Sequence, residues 1–401
     1  MEANILDNID MRQLGKELQE ARKNRSMTQE AAAEVLGVAR TTITAIEKGE
    51  RRIKAGELIR LVRAYGRQVS DFVRPRPRFE SFQPQFRGPY LSTAVDKQTI
   101  APYIETLEEL CRDYLELEEI MEAPLIRKYP PVYEVAGLPC EQAAESVAIE
   151  ERNRLGLGDG PIPILRYLLE QDVGLRLFYL PLPPKFSEMY VYDDALGACM
   201  AINRHHPEER RRWSAAHGYA HFLAHRYKAE ISVENGYQRL PESERFADAF
   251  ARYFLMPTGG LIRRCNDIRR TQGKVTPADL GTLANYYGVS VEVLTRHLED
   301  LKLLPTGIWD KLRHGGFRIR EAQRQLGLEG ITAPDEELPR RYQYLALAAF
   351  ERAFITEGQL ARFLRVNRLD ARQAIAVLHE STSGAIDVAI DVGTELQASD
   401  A

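Results

Sequence analysis

Two histidines four residues apart, in Trp213-Ser214-Ala215-Ala216-His217-Gly218-Tyr219-Ala220-His221, are the residues of this 401-residue sequence best placed to do chemistry. On a helix, positions i and i+4 leave the same face, so both imidazoles can reach one zinc ion. In the His-Glu-x-x-His arrangement the acid beside the first histidine activates water at the metal. Here that neighbour is Gly218, which has no side chain to do so. Two histidines at this spacing are a weak sign alone, because such pairs commonly pack or face solvent. A second stretch strengthens it. The run Glu244-Arg245-Phe246-Ala247-Asp248 through Phe254-Leu255-Met256-Pro257 reads as a helix stopped by proline, with Glu244 and Asp248 on one face. Glu244 can supply a third ligand and leave the fourth position open, while Asp248 can hold a ligand histidine's other nitrogen. The plainer alternative makes the two acids a solvated stripe opposite Phe246, Phe250 and Phe254.

The segment 138–257 that carries these positions resembles the ImmA/IrrE peptidases, zinc proteases that cleave repressors or antitoxins. The marks are Ala201-Ile202-Asn203 ahead of the helix, its Arg-Trp-x-x-Ala-His entry, Phe222-Leu223-Ala224-His225-Arg226 after it, and Glu-x-x-Ala-Asp-x-Phe-Ala ending in Leu-Met-Pro. The resemblance implies a zincin-like fold with zinc on His217, His221 and Glu244, and Asp248 behind the ligands. It gives His225, one turn further on, no ligand role. Gly218 departs from the pattern and marks the position of the missing general base. Glycine inside a helix is about 1 kcal/mol worse than alanine, and the sequence offers no packing reason for it. A natural loss of the base and a single-codon change remain equally open. Losing a positioned base costs a factor of about a hundred to ten thousand in rate, so the expectation is an impaired peptidase. Glu208, Glu209 and Glu230 lie nearby in sequence, but none occupies the place beside the first histidine.

A different chemistry is written at the amino end. From Met11 to Val73 the apolar spacing predicts a five-helix bundle, with Thr28-Gln29 opening one helix, a turn at Gly37-Val38, and a following helix from Ala39 to Lys48 ended by Gly49. Thr-Gln, Leu-Gly-Val and Ile-x-x-Ile-Glu-x-Gly in that order resemble the lambda-repressor-like (XRE) helix-turn-helix domains. Residues 11–75 hold 14 Lys or Arg against 8 Asp or Glu, while the whole chain is at −4. Such segregation is the footprint of a module that binds the phosphates of double-stranded DNA. The third helix would enter the major groove, with Arg40 suited to guanine and Thr41, Thr42 and Thr44 offering hydroxyl or methyl contacts. Of these, Thr42 reads as half-buried, and Ile43 and Ile46 as core. Gln29 could meet backbone or base, and Arg51, Arg52 and Lys54 suit phosphates better than bases.

The elements that must position these residues predict a mainly helical α+β chain. We divide it into the helix-turn-helix region at 11–73, a stiff Pro/Arg-rich linker at 74–98, and a connecting segment at 99–137. The zincin-like region follows at 138–260 and a helical, helix-turn-helix-like region at 261–390. The connecting segment contains an acidic amphipathic helix from Thr99 to Glu122, which could pack on its own chain or on its copy; we favour the former. Helices are expected near Glu141–Leu155 and Ile164–Gln171, strands at Gly174–Tyr179, Met189–Tyr192 and Ala198–Ile202, and the active helix from Glu208. Two later segments, Thr276–Leu304 and Tyr342–His379, repeat a helix-turn-helix pattern better suited to completing the peptidase than to DNA. Asp391 to Ala401 should fray. No apolar run reaches 18 residues and the start lacks a signal peptide's pattern, so a cytoplasmic protein with no membrane partner is expected. Cys111, Cys140, Cys199 and Cys265 form no Cys-x-x-Cys pair and read as reduced thiols.

The leading function is a DNA-binding transcriptional regulator, catalytically impaired by Gly218 and acting as a homodimer, whose peptidase-like region is sensory or binds a partner. The alternative is a protease of a repressor or antitoxin in an inactive form. A third reading is an antitoxin-like binding module that represses its own operon.

Overall fold

The computed structural model describes residues 10–25, 27–67, 69, 72, 82, 94–233, 241–315, 337–373 and 375. The chain divides into two compact units, Met1–Pro77 and Arg78–Ala401.

The first unit contains helices α1 (Met11–Asn24), α2 (Gln29–Leu36), α3 (Arg40–Glu47) and α4 (Ala55–Ala64). Thr28 caps α2 by accepting from the Ala31 N–H, and Gly37 ends it at φ +69°, a left-handed turn that leads directly into α3. The apolar stripes of the helices meet in one core containing Leu14, Leu18, Leu36, Ile43, Ile46, Leu58 and Leu61. The expected fifth helix falls where only Val69 and Phe72 are described, and both pack on that core.

The second unit begins with α5 (Ala94–Ile120), α6 (Cys140–Arg154) and α7 (Leu165–Leu168), which runs into a π-helical turn at Leu169–Val173. Strands β1 (Arg176–Leu180), β2 (Phe186–Asp193) and β3 (Gly197–Asn203) follow, then α8 (Glu208–Ala224), β4 (Glu230–Val233) and α9 (Glu242–Leu255). Helices α10 (Thr258–Gln272), α11 (Pro277–Tyr287), α12 (Val291–Asp300), α13 (Ile308–His314), α14 (Arg340–Glu351) and α15 (Glu357–Phe363) complete it. The sheet order is β1-β3-β2-β4, with β1 parallel to β3 and the other pairs antiparallel. The three expected strands lie within a few residues of their places. The fourth, β4, was not anticipated, because four residues are too few for alternation to register.

Both faces of the sheet are covered. Leu177, Tyr179, Tyr190, Met200 and Ile202 point to a core shared with α6, α8, α9, α11 and α12. Their neighbours Phe178, Met189, Val191, Cys199 and Ala201 point to a second core shared with α5, α14 and α15. This period-two division is what buries a strand on both sides. Helix α5 thus packs within its own chain. Its acids pair with arginines of the partner elements, Glu118 with Arg176 (2.7 Å) and Arg341 (3.0 Å), and Asp113 with Arg362 (3.0 Å). The two expected helix-turn-helix-like segments join different cores, α11–α12 the first and α14–α15 the second.

The linker reading needs correction. Phe82 is fully buried among Ile100, Ile104 and Leu107, and its N–H donates to Glu108 Oε2 at 3.1 Å. Residues 94–98 already belong to α5. The rest of 74–98 and the residues from 391 onward lie outside the described residues. All four cysteines are free thiols, three of them buried. No described helix is long and apolar enough to cross a membrane.

Candidate metal centre and nucleic-acid interface

Helix α8 starts with Glu208 and Glu209 at its positive end and is buried through its middle by small residues, Ala215, Ala216, Gly218 and Ala220. These let it lie close against β2 and β3. Helix α9 stacks Phe246, Phe250 and Phe254 into the same core, which turns Glu244 and Asp248 toward α8. His217, His221 and Glu244 come together with one ligand atom from each within 4.8 Å of the others, a group that could hold a metal ion. Glu244 Oε1 lies 3.3 Å from His221 Nε2, and Glu244 Oε2 lies 3.5 Å from His217 Nε2.

The carboxylate on the far nitrogen of His217 is not the one expected. Glu188, from β2, lies 2.7 Å from His217 Nδ1. Asp248 Oδ1 instead lies 3.6 Å from Nε2, on the side where a metal would sit. The sequence placed Asp248 behind a ligand histidine; the tertiary approach of β2 fills that place first.

Gly218 also has a packing reason that the sequence did not reveal. A β-carbon there would lie 2.7 Å from Met200 Cε and 3.3 Å from Glu188 Oε1. The space beside His217 is taken by the sheet. Glu208 and Glu209 start α8, roughly 15 Å along its axis from Gly218 at 1.5 Å per residue. Glu230, on β4, is paired with Lys228.

The two imidazoles titrate in opposite directions. Burial works against charge on His217, but the adjacent Glu188 overrides it and raises the pKa to about 9. Burial dominates at His221 and lowers its pKa to about 4. For Glu244, burial opposes ionisation, yet His221 and His217 hold the carboxyl below its usual value. Burial pushes Asp248 and Glu188 upward. His225 contacts the rings of His221 and Phe246 and lies outside the three-residue group.

In the amino-terminal unit, Arg40 and Thr41 of α3 are exposed, Thr42 and Thr44 are half-buried, and Ile43 and Ile46 are core. Arg40 pairs with Glu30 at 3.0 Å across an open surface. Gln29 is less available than its position suggested. Its amide donates to Glu47 at 2.8 Å and its oxygen accepts from Thr44 at 3.2 Å. Arg51 is held by Glu57 at 2.8 Å, whereas Arg52 and Lys54 are exposed.

Residues 170–299 match the family model described as the IrrE N-terminal-like domain, and residues 18–72 match the model described as helix-turn-helix. The chain joins a helix-turn-helix domain to an IrrE-like peptidase-family domain. A search of curated proteins finds no match. The IrrE-like match runs through α12, so α10, α11 and α12 fall inside it rather than in a separate carboxy-terminal region. Within the IrrE-like domain, sequence reasoning missed Glu188 and Met200. The available signal was an acid directly before the apolar run Met189-Tyr190-Val191, two residues from Tyr190 and so on its face of a strand, where an inward carboxylate needs a partner.

Proposed function

We propose that this chain is a DNA-binding transcriptional regulator whose IrrE-like domain holds zinc but has lost its general base, and so senses a signal or binds a partner. The observation that carries this reading is Gly218, a residue without a side chain next to His217 in a group of His217, His221 and Glu244 that could hold a metal ion. Two imidazole nitrogens and a carboxylate are a donor set suited to zinc. His221 Nε2 fits too: it is buried and makes no well-formed hydrogen bond, although Glu244 is near. His217, His221 and Glu244 would hold the ion, which supplies Lewis acidity to a peptide carbonyl when bound. Without a side chain at 218, no carboxylate of α8 stands beside that position to accept a proton.

On DNA, Arg40 and Thr41 would read base edges in the major groove, with Gln29, Thr42 and Thr44 holding α3 in register and Arg52 and Lys54 meeting phosphates. Arg51 would do so only by leaving Glu57. A homodimer on a palindromic site fits the usual geometry of such modules, and a helix-turn-helix repressor or antitoxin is the partner the resemblance suggests.

Elemental analysis and operator titration test the reading together. After zinc loading and removal of loose metal, near one equivalent is expected, and chelation should alter operator affinity. A content under about a tenth of an equivalent would make the metal reading untenable. The rival, an active protease, rests on Asp248, a carboxylate 3.6 Å from His217 Nε2 on the metal-facing side. Zinc-dependent cleavage of a helix-turn-helix repressor by the unaltered chain would establish it.

A further inference from the structure

We infer that Glu188 is the positioning carboxylate of this centre, admitted by Gly218, and that it fixes His217 with Nε2 turned toward the metal. The inference rests on the metal reading above and assigns a role to a residue outside the three proposed ligands.

Four observations converge on Glu188. Its side chain is buried and its Oε1 accepts from His217 Nδ1 at 2.7 Å. With Nδ1 committed as a donor, only Nε2 can ligate, and Nε2 faces Glu244 at 3.5 Å. Second, the register between β2 and β4 shifts between Phe186 and Glu188. Such irregularities re-aim a side chain, and here Glu188 is aimed at α8. Third, the residue next to His217 in α8 is the one without a side chain, and its missing β-carbon would crowd Glu188 Oε1 at 3.3 Å. Gly218 therefore leaves Glu188 uncrowded where it meets the imidazole.

Finally, Glu188 Oε2 is buried and makes no well-formed hydrogen bond, with the Ser214 side chain as further polar support. A buried carboxylate held on one side only is costly unless a further positive charge lies close. A divalent cation on His217 Nε2 supplies that charge across the imidazole.

The test compares zinc affinity by chelator competition, and the visible spectrum of the cobalt-substituted protein, in the full-length chain. Glu188→Ala should weaken zinc about 10- to 100-fold and change the cobalt spectrum. Glu188→Gln, which still accepts from Nδ1–H, should recover most of the affinity. Glu188→Leu fills the volume without an acceptor and should match Glu188→Ala, which separates positioning from cavity formation. In metal-free protein, the low-field Nδ1 proton of His217 should persist in Glu188→Gln and vanish in Glu188→Leu. Wild-type affinity and spectrum in a folded Glu188→Leu protein would overturn the inference and leave the metal reading standing. A wild-type chain that takes up no zinc would overturn the metal reading itself and reduce Glu188 to an ion-pair partner of His217.

Discussion

In the helix-turn-helix domain the buried Glu47 accepts from Arg22 Nε and Nη2 at 2.6 and 3.0 Å, from Gln29 at 2.8 Å and from Gln19 at 3.2 Å. In the IrrE-like domain the equally buried Glu188 is held by His217 at 2.7 Å and leaves Oε2 without a well-formed hydrogen bond. His221 in the same place has two ring nitrogens without hydrogen bonds. A polar network whose every atom is satisfied rigidifies a core, and one left open is poised for something else to complete it. The first network locks α1, α2 and α3 together; the second leaves imidazole and carboxylate atoms converging on one point.

The largest effect should come from breaking the closed network. Glu47→Ala strands the Arg22 guanidinium and should cost about 3–5 kcal/mol, read as loss of amide-exchange protection across α1 to α4 in the full chain. Unchanged protection would put the network on a par with surface pairs. The same contact predicts an acid limit. Burial raises the Glu47 carboxyl pKa, but Arg22, Gln29 and Gln19 outweigh it, so the folded value lies below the ordinary 4.5. Its stabilisation is therefore complete above pH 4.5 and declines as pH falls below that value; Glu47→Gln should flatten this decline.

A second contrast lies between Arg40, exposed at the start of α3, and Lys54, exposed ahead of α4. Arg40→Ala should lower specific DNA affinity by roughly 1–3 kcal/mol for a lost base contact, whereas Lys54→Ala should weaken all sequences alike and by less. Equal losses on specific and random duplexes for Arg40→Ala would remove it from base recognition.

The smallest net effect is expected at Gly218. A glutamate there gains up to about 1 kcal/mol of helix propensity but must displace Met200, an overpacking cost of about 1–3 kcal/mol. Gly218→Glu should therefore melt slightly below wild type, and adding Met200→Ala should restore part of the loss. A single variant that melts higher than wild type would show that the sheet does not close the site.

Much of this was legible in the sequence because it is local. The helices of the amino-terminal domain, the i,i+4 histidines and the Glu244–Asp248 face are set by spacing within one element, and periodicity reports such spacing directly. What stayed hidden depends on contacts between elements. Glu188 meets His217 across 29 residues, so nothing in its own strand names its partner. Met200 supplies the reason for Gly218 in the same way. Phe82 was hidden differently: proline and arginine around it in the sequence mark a spacer, and nothing local distinguishes this one aromatic ring as buried.

The packing of Met200 and Glu188 against Gly218 also bears on mutation. A carboxylate introduced at 218 meets the flexible tip of Met200 and lies close to Glu188 Oε1, so both must give way slightly. Shortening Met200 opens more room, yet that change leaves a cavity and brings no immediate gain. A side chain at 218 is therefore accommodated at a small cost, set by how far the Met200 tip can swing. The Met200 thioether thus acts as a soft wall, and its own mobility sets how large a residue position 218 accepts.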